Sequence, residues 1–178
     1  MDRNRLLAIF EALDGALQSS CELEIRGGAA VLALGLEGRT TLDIDVLPSS
    51  RFVDAELRRA CAAAGVGFNP TSGKDLAEHD FLEVVPEETL VLPVPSPERP
   101  YNTVFRGRRL TVRTPPVADL IIGKLKRLEP EDVADIAFLT QRFAITEGDL
   151  SEAFGRLPAR WRGDPVIVDN LRYVLEDL

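Results

Sequence analysis

The chain has 178 residues, 45% of them hydrophobic, and a formal net charge of −8 at pH 7. That length suits one domain with room for a small helical extension, and the apolar fraction suffices for a core. The negative balance excludes a general DNA or RNA binder, which needs a basic footprint, and no apolar run is long enough to cross a bilayer. The start carries no signal-peptide pattern, and the two cysteines, Cys21 and Cys61, have no metal-ligand spacing. A cytoplasmic protein is expected, with Cys61 a small core residue in an alanine-rich run.

Leu6, Ile9, Phe10, Leu13 and Leu17 recur at three and four, which predicts a helix over 3–18 with one apolar stripe. Residues 22–26 read as a first strand, 29–36 as a small-residue helix ended by Gly38, and 42–47 as a second strand ended by Pro48. Residues 54–64 read as a helix stopped by Gly65. Residues 68–79 are polar and read mostly as loop. Short strands follow over 80–85 and 89–94, and then a proline-rich extended segment. Residues 103–106 and 110–114 flank Gly107 as a hairpin that carries Arg106, Arg108, Arg109 and Arg113. Those arginines are either a solvated tip or contacts for a triphosphate or acceptor near an acidic site. Helices are expected over 115–128, from Pro130 onward, over 149–156 and over 165–178, with a turn at Arg160-Trp161-Arg162. Trp161 reads either as a stacking platform for a base or, the favoured alternative, as a packing anchor, and His79 has no assigned role. The expected organisation is a core over 1–114 and a helical part over 115–178 packed on it.

The chemistry concentrates between Gly27 and Leu47. A strand points residues i and i+2 to one face, so Asp43 and Asp45 share a side, with Cα atoms about 6.6–6.8 Å apart. Leu42, Ile44 and Val46 are expected to face a core. Two carboxylates on one face repel unless a proton or cation sits between them. Mg²⁺ is the usual solution, held by one or two carboxylates plus substrate phosphates. Upstream, Gly27 and Gly28 would let backbone N–H groups approach a phosphate closely.

Gly27-Gly28, a helix, and then Arg39-Thr40-Thr41-Leu42-Asp43-Ile44-Asp45 resembles the signature of the nucleotidyltransferase superfamily, the DNA polymerase β-like fold. That signature is Gly-Gly or Gly-Ser, a spacer of about a dozen residues, and Asp-x-Asp. Arg-x-Thr ahead of the acidic pair resembles the minimal enzymes of the abortive-infection toxin–antitoxin branch. Many members have Ser in the glycine pair. Here Ala29 follows two glycines, which leaves phosphate binding to backbone donors. The resemblance implies an α/β (α+β) fold, a small mixed sheet flanked by helices with a C-terminal helical extension.

It also implies transfer of a nucleoside monophosphate from an NTP to an acceptor hydroxyl on a protein or tRNA, with Mg²⁺ or Mn²⁺. Asp43 and Asp45 would be catalytic and ligate the metal. Gly27, Gly28, Arg39 and Thr41 would hold the nucleotide. The third carboxylate is expected to be Glu83, which alternates with Leu82 and Val84; Asp80 is the second candidate. A cognate toxin or antitoxin is the implied partner, with no membrane and no general DNA binding. The alternative is a catalytically degenerate member acting as an antitoxin or binding module.

Lys124 interrupts the apolar stripe of Val117, Leu120, Ile121, Leu125 and Leu128. A lysine is rarely buried unless paired. Either Lys124 snorkels to water, or it meets phosphates or the acidic strand. Residues 117–125 resemble the lysine helix of the abortive-infection branch, which implies a functional Lys124 contacting nucleotide. Asp132 and Asp135 share a helix face at i and i+3. In that branch an Asp-x-x-Asp follows the lysine, usually after Arg, where this chain has Glu131. Asp132 is either a first-turn acid or catalytic; Asp135 is expected to orient a neighbour.

Overall fold

The first helix, α1 (Arg3–Ala16), starts where the Asp2 side chain accepts the Arg5 amide, and its stripe of Leu6, Ile9, Phe10 and Leu13 is buried. The computed structural model describes residues 1–70 and 79–176. These fall into two compact units: Met1–Glu88 with Asn102–Thr114, and Thr89–Tyr101 with Pro115–Leu178. Most of the predicted loop over 68–79 lies outside the described residues, as do the last two residues of the predicted final helix.

The first unit continues with β1 (Cys21–Glu24), α2 (Gly27–Ala33), β2 (Asp43–Val46), α3 (Asp54–Ala64), β3 (Gly67–Phe68), β4 (Phe81–Val84), β5 (Asn102–Arg106) and β6 (Leu110–Thr114). Strand β1 runs parallel to β6, which pairs antiparallel with β5. Strand β4 lies between β2 and β3, parallel to both. The two ladders meet where Ile25 bridges Val46 antiparallel. There the Leu47 amide donates to the Glu24 carbonyl (2.7 Å) and the Arg26 amide to the Asp45 carbonyl (2.9 Å). The result is two small three-stranded sheets, bridged there, in an α+β arrangement consistent with the fold that the resemblance implied. Phe10 packs on Phe105 with ring centroids 5.6 Å apart.

Three local expectations are corrected. Helix α2 begins on the two glycines, not after them, and stops at Ala33, because Gly35 takes φ +110° and cannot continue it. Leu42 is 44% exposed, not in the core. It sits in a bend before the ladder begins, so strand alternation does not reach it. No strand forms over 89–94: a 3₁₀ turn at Glu87–Thr89 leads into irregular chain. Pro93 and Pro95 lack the N–H a ladder needs, and the Val94 amide donates instead to the Arg156 carbonyl (3.0 Å).

The second unit holds α4 (Val117–Lys124), α5 (Pro130–Phe143), α6 (Glu147–Gly155), α7 (Ala159–Arg162) and α8 (Pro165–Glu176). Its first helix is shorter than the stripe predicts, and Leu128 turns the chain at φ +48° ahead of Pro130. Asp119, buried in α4, takes a two-pronged bond from Arg156 at the end of α6. The Trp161 indole N–H donates to the Leu90 carbonyl (2.8 Å), the anchoring role its sequence position suggested. No described helix is long and apolar enough to cross a membrane.

Candidate functional site

The end of β1 and the start of α2 form the centre of the first unit's polar constellation. Gly27 has φ +65°, a conformation L side chains rarely adopt. A Cβ there would also lie 2.6 Å from Asp45 Oδ2. A Cβ on Gly28 would stand 3.0 Å from Arg39 Nη2 and 3.2 Å from Thr41 Oγ1. Thus Asp45, Arg39 and Thr41 all close on the glycine pair. Thr41 donates its hydroxyl to Asp43 Oδ1, which fixes the first carboxylate of the pair. Along β2, Asp43 and Asp45 are half-buried while Ile44 and Val46 are buried, the alternation the sequence predicts.

Glu83 is the register partner of Asp45 on the adjacent parallel strand. Directly opposite residues of neighbouring strands project to the same side, so Glu83 shares the Asp43 and Asp45 face. Asp80 is engaged elsewhere, with Arg5 Nε 2.9 Å from its Oδ2. Burial pushes the Asp80 carboxyl up, but bonds to positive partners led by Arg5 outweigh it and the net shift is down.

A cavity of about 500 Å³ lies beside this constellation, lined by Arg3, Asn4, Glu37, Gly38, Arg39 and Thr40. The Arg3 Nε in that lining is buried with no hydrogen-bond partner among the described residues. An orphaned buried donor is unusual and marks a place where an acceptor fits. Sequence reasoning missed Arg3 because the predicted helix accounts for it as a polar position off the apolar stripe.

Among the described residues, no three His, Cys, Asp or Glu side chains converge as a self-sufficient metal cage. The donor set fits a different arrangement. Two carboxylates on one strand face, against a glycine pair whose missing Cβ leaves the approach open, suit a hard cation shared with substrate phosphates.

In the second unit the structure removes one of the two alternatives for Lys124. The lysine is buried and does not snorkel. Its Nζ lies 2.9 Å from Asp132 Oδ1 and 2.6 Å from Asp135 Oδ2, and both aspartates are buried. Arg127 Nε reaches Asp132 Oδ2 at 2.9 Å. Asp132 also accepts the Glu129 amide at 3.3 Å as the return half of a capping box. Its first-turn role and its charge-pairing role are therefore both real. Burial pushes the Asp132 carboxyl up; the Arg127 and Lys124 bonds outweigh that and leave it lowered.

The arginines of the hairpin tip, Arg106, Arg108 and Arg109, lie away from the acidic pair. The register sets Leu110 beside Cys21 and Arg113 beside Glu24, so the tip at Gly107 neighbours the start of β1. The glycine pair lies beyond the other end of β1, a strand about 10 Å long at 3.3 Å per residue. For Arg106, Arg108 and Arg109 the expectation of a triphosphate near the acidic site is thereby corrected; Arg113, beside Glu24, pairs with Glu22.

A family model described as a nucleotidyltransferase of unknown function (DUF6036) matches residues 4–142. The chain belongs to this family. No curated protein and no solved structure matches it. The match spans Gly27, Gly28, Asp43, Asp45, Glu83, Lys124 and Asp132 together. The family description names nucleotidyl transfer and specifies no acceptor, metal or toxin–antitoxin partner.

Proposed function

We propose that this nucleotidyltransferase-family chain moves a nucleoside monophosphate from an NTP to an acceptor hydroxyl of a protein or tRNA, with Mg²⁺ or Mn²⁺. The observation that carries the reading is the closure of Asp45, Arg39 and Thr41 on the positive-φ glycine pair. Phosphoryl-type transfer asks the protein for positioning and charge neutralisation, and this set offers both. Asp43 and Asp45 would hold the metal; Glu83, on the same face opposite Asp45, does not converge with them as a third ligand. The metal supplies neutralising charge to the triphosphate.

Gly27 and Gly28 admit the phosphates to backbone N–H donors. Arg39, beside Gly28, and Arg3, with its orphaned Nε, offer guanidinium donors to phosphate oxygens. Thr41 fixes the rotamer of Asp43. Asp45 orients the acceptor hydroxyl and takes its proton as the hydroxyl oxygen bonds to the α-phosphorus and pyrophosphate leaves. Lys124 and Asp132, bonded to each other and to Asp135, are proposed as positioning residues that fix α4 against α5.

The test is incubation of the purified chain with labelled NTPs and Mg²⁺ or Mn²⁺, followed by a search for label on protein and RNA. Mg²⁺ with NTP should also raise the melting temperature, since a ligand that binds only the folded state stabilises it. Asp45→Asn should remove both label and shift while the fold holds. An Asp45→Asn variant with an undiminished shift defeats the metal assignment. NTP binding without any transfer points instead to a degenerate binding module or antitoxin.

A further inference from the structure

At the far end of β1, the hairpin tip borders a basin of about 430 Å³ whose lining includes Arg51, Arg106, Arg108, Arg109 and Glu22. Four arginines against one glutamate make a local excess of positive charge on a chain whose net charge is −8. The glutamate is already taken: Arg51 Nη2 lies 2.8 Å from Glu22 Oε1, and Arg113 pairs with its other oxygen. Arg109 donates to the Leu17 carbonyl. The guanidiniums of Arg106 and Arg108 are exposed and have no hydrogen bond or ion pair among the described residues.

The basin is also preformed. Asp14 at the end of α1 accepts the backbone N–H groups of Arg108 (3.0 Å), Arg109 (2.7 Å) and Leu110 (2.7 Å). Gly107 donates to the Leu110 carbonyl at 2.8 Å, closing the turn. A Cβ at Gly107 would overlap the Asp14 carboxylate at 2.3 Å, so the tip is seated directly on α1. Asp14's charge is spent on those amides, whose bonds hold its carboxyl well below the usual range. Side chains on a fixed turn lose less freedom when they bind a ligand.

We propose that this basin is an anion site, separate from the Gly27–Asp45 constellation, that takes the phosphate groups of a free polyphosphate or of a nucleic-acid backbone. Several guanidiniums around one open basin call for a ligand with more than one negative charge, and the planar guanidinium fork matches phosphate oxygens bidentately. The site stands whether or not the chain transfers nucleotides.

The experiment uses the full chain without divalent metal, so that the metal-dependent nucleotide site is silent. Calorimetry with inorganic tripolyphosphate and anisotropy with a short labelled single-stranded RNA read the two sources. Arg106→Gln combined with Arg108→Gln should weaken binding of at least one probe by tenfold or more, as expected for lost charge-assisted contacts. For RNA the slope of log K against log salt should shrink by roughly 1.4, two contacts at about 0.7 each. The melting temperature should fall only slightly, and its rise with Mg²⁺ and NTP should be unchanged, because neither guanidinium has a hydrogen bond or ion pair to lose and Arg108 gives Asp14 only minor electrostatic support. Tripolyphosphate bound with no affinity for RNA identifies a small polyphosphate. RNA that tripolyphosphate does not displace identifies a strand. Equal affinities in wild type and the double variant, binding of neither probe, or a glutamate-rich peptide binding as tightly as RNA each overturn the proposal.

Discussion

At Gly27 and Gly28, the constraint on side-chain size has different causes, and two substitutions separate them. Gly27 needs a positive φ and faces Asp45 Oδ2, so Gly27→Ala both strains the backbone and pushes on the carboxylate. A non-glycine residue in that conformation costs roughly 1–2 kcal/mol. A lower urea midpoint and loss of the Mg²⁺–NTP melting shift are expected together. Gly28 has an ordinary φ, and an added Cβ would meet mainly the end of the Arg39 side chain. Gly28→Val should therefore leave the urea midpoint within about 1 kcal/mol of wild type while NTP affinity falls, since Arg39 is pushed from its place. Unchanged NTP affinity in Gly28→Val would mean the pair is only a turn. The glycines and Asp43-x-Asp45 were legible in the sequence because each residue type has a chemical reason to be there. Arg3 was not legible: on α1 it is one polar position among several, and only the orphaned Nε in three dimensions singles it out.

Among the elements, the junction of α4 and α5 shows what a pattern can and cannot tell. The apolar stripe flagged Lys124 as anomalous, and the i, i+3 spacing flagged Asp132 and Asp135 as one face. Linking the two needed the turn at Leu128, whose positive φ no residue preference announces, since leucine is not a usual left-handed residue. The missing strand over 89–94 has the opposite origin: its apolar residues fit the pattern, but two prolines and the absence of a partner ladder decide the matter. The Lys124 cluster reverses the simple expectation that deleting a buried charge stabilises. Lys124→Met removes the cation shared by Asp132, which keeps Arg127, and Asp135, and breaking a buried pair costs about 3–5 kcal/mol. Urea denaturation should show that loss. A positioning role adds a drop in kcat larger than any rise in KM, measured where the variant is still folded. Adding Asp135→Leu to Lys124→Met should recover part of the stability, because a buried carboxylate that has lost its lysine is removed. A Lys124→Met variant as stable as wild type would show that the ion cluster contributes nothing net.

For the whole molecule, the sheet, the helix order and the glycine–aspartate centre were readable from periodicity and motif, while long-range charge pairing was not. That pairing decides the response to acid. Several carboxyls are held below their usual range by partners on other elements or turns. Asp14 is lowered by the Leu110 and Arg109 amides. Asp80 and Asp132 are lowered because their positive partners outweigh burial. For each, the folded state releases its proton more readily than the unfolded chain, whose aspartates titrate near about 3.9. Their stabilising contribution is therefore present above about pH 4 and is lost as pH falls through the lowered folded values. Asp119 opposes them. Burial outweighs its Arg156 bonds and raises its carboxyl, so its contribution is present at low pH and fades as pH rises through its folded value. Glu22, Glu56, Asp149 and Asp164 are lowered as well, so seven lowered carboxyls among the described residues stand against this one and acid should destabilise on balance. The urea midpoint is expected to be flat between about pH 6 and pH 8 and to fall steeply below about pH 4. Asp14→Asn should lower the midpoint at neutral pH and flatten the acid limb, since an amide offers one acceptor oxygen that does not titrate in place of two that do. Urea titrations of both proteins across that range check it. A midpoint that rises on acidification through pH 4 would mean the buried Asp119 outweighs the paired surface and cluster carboxylates.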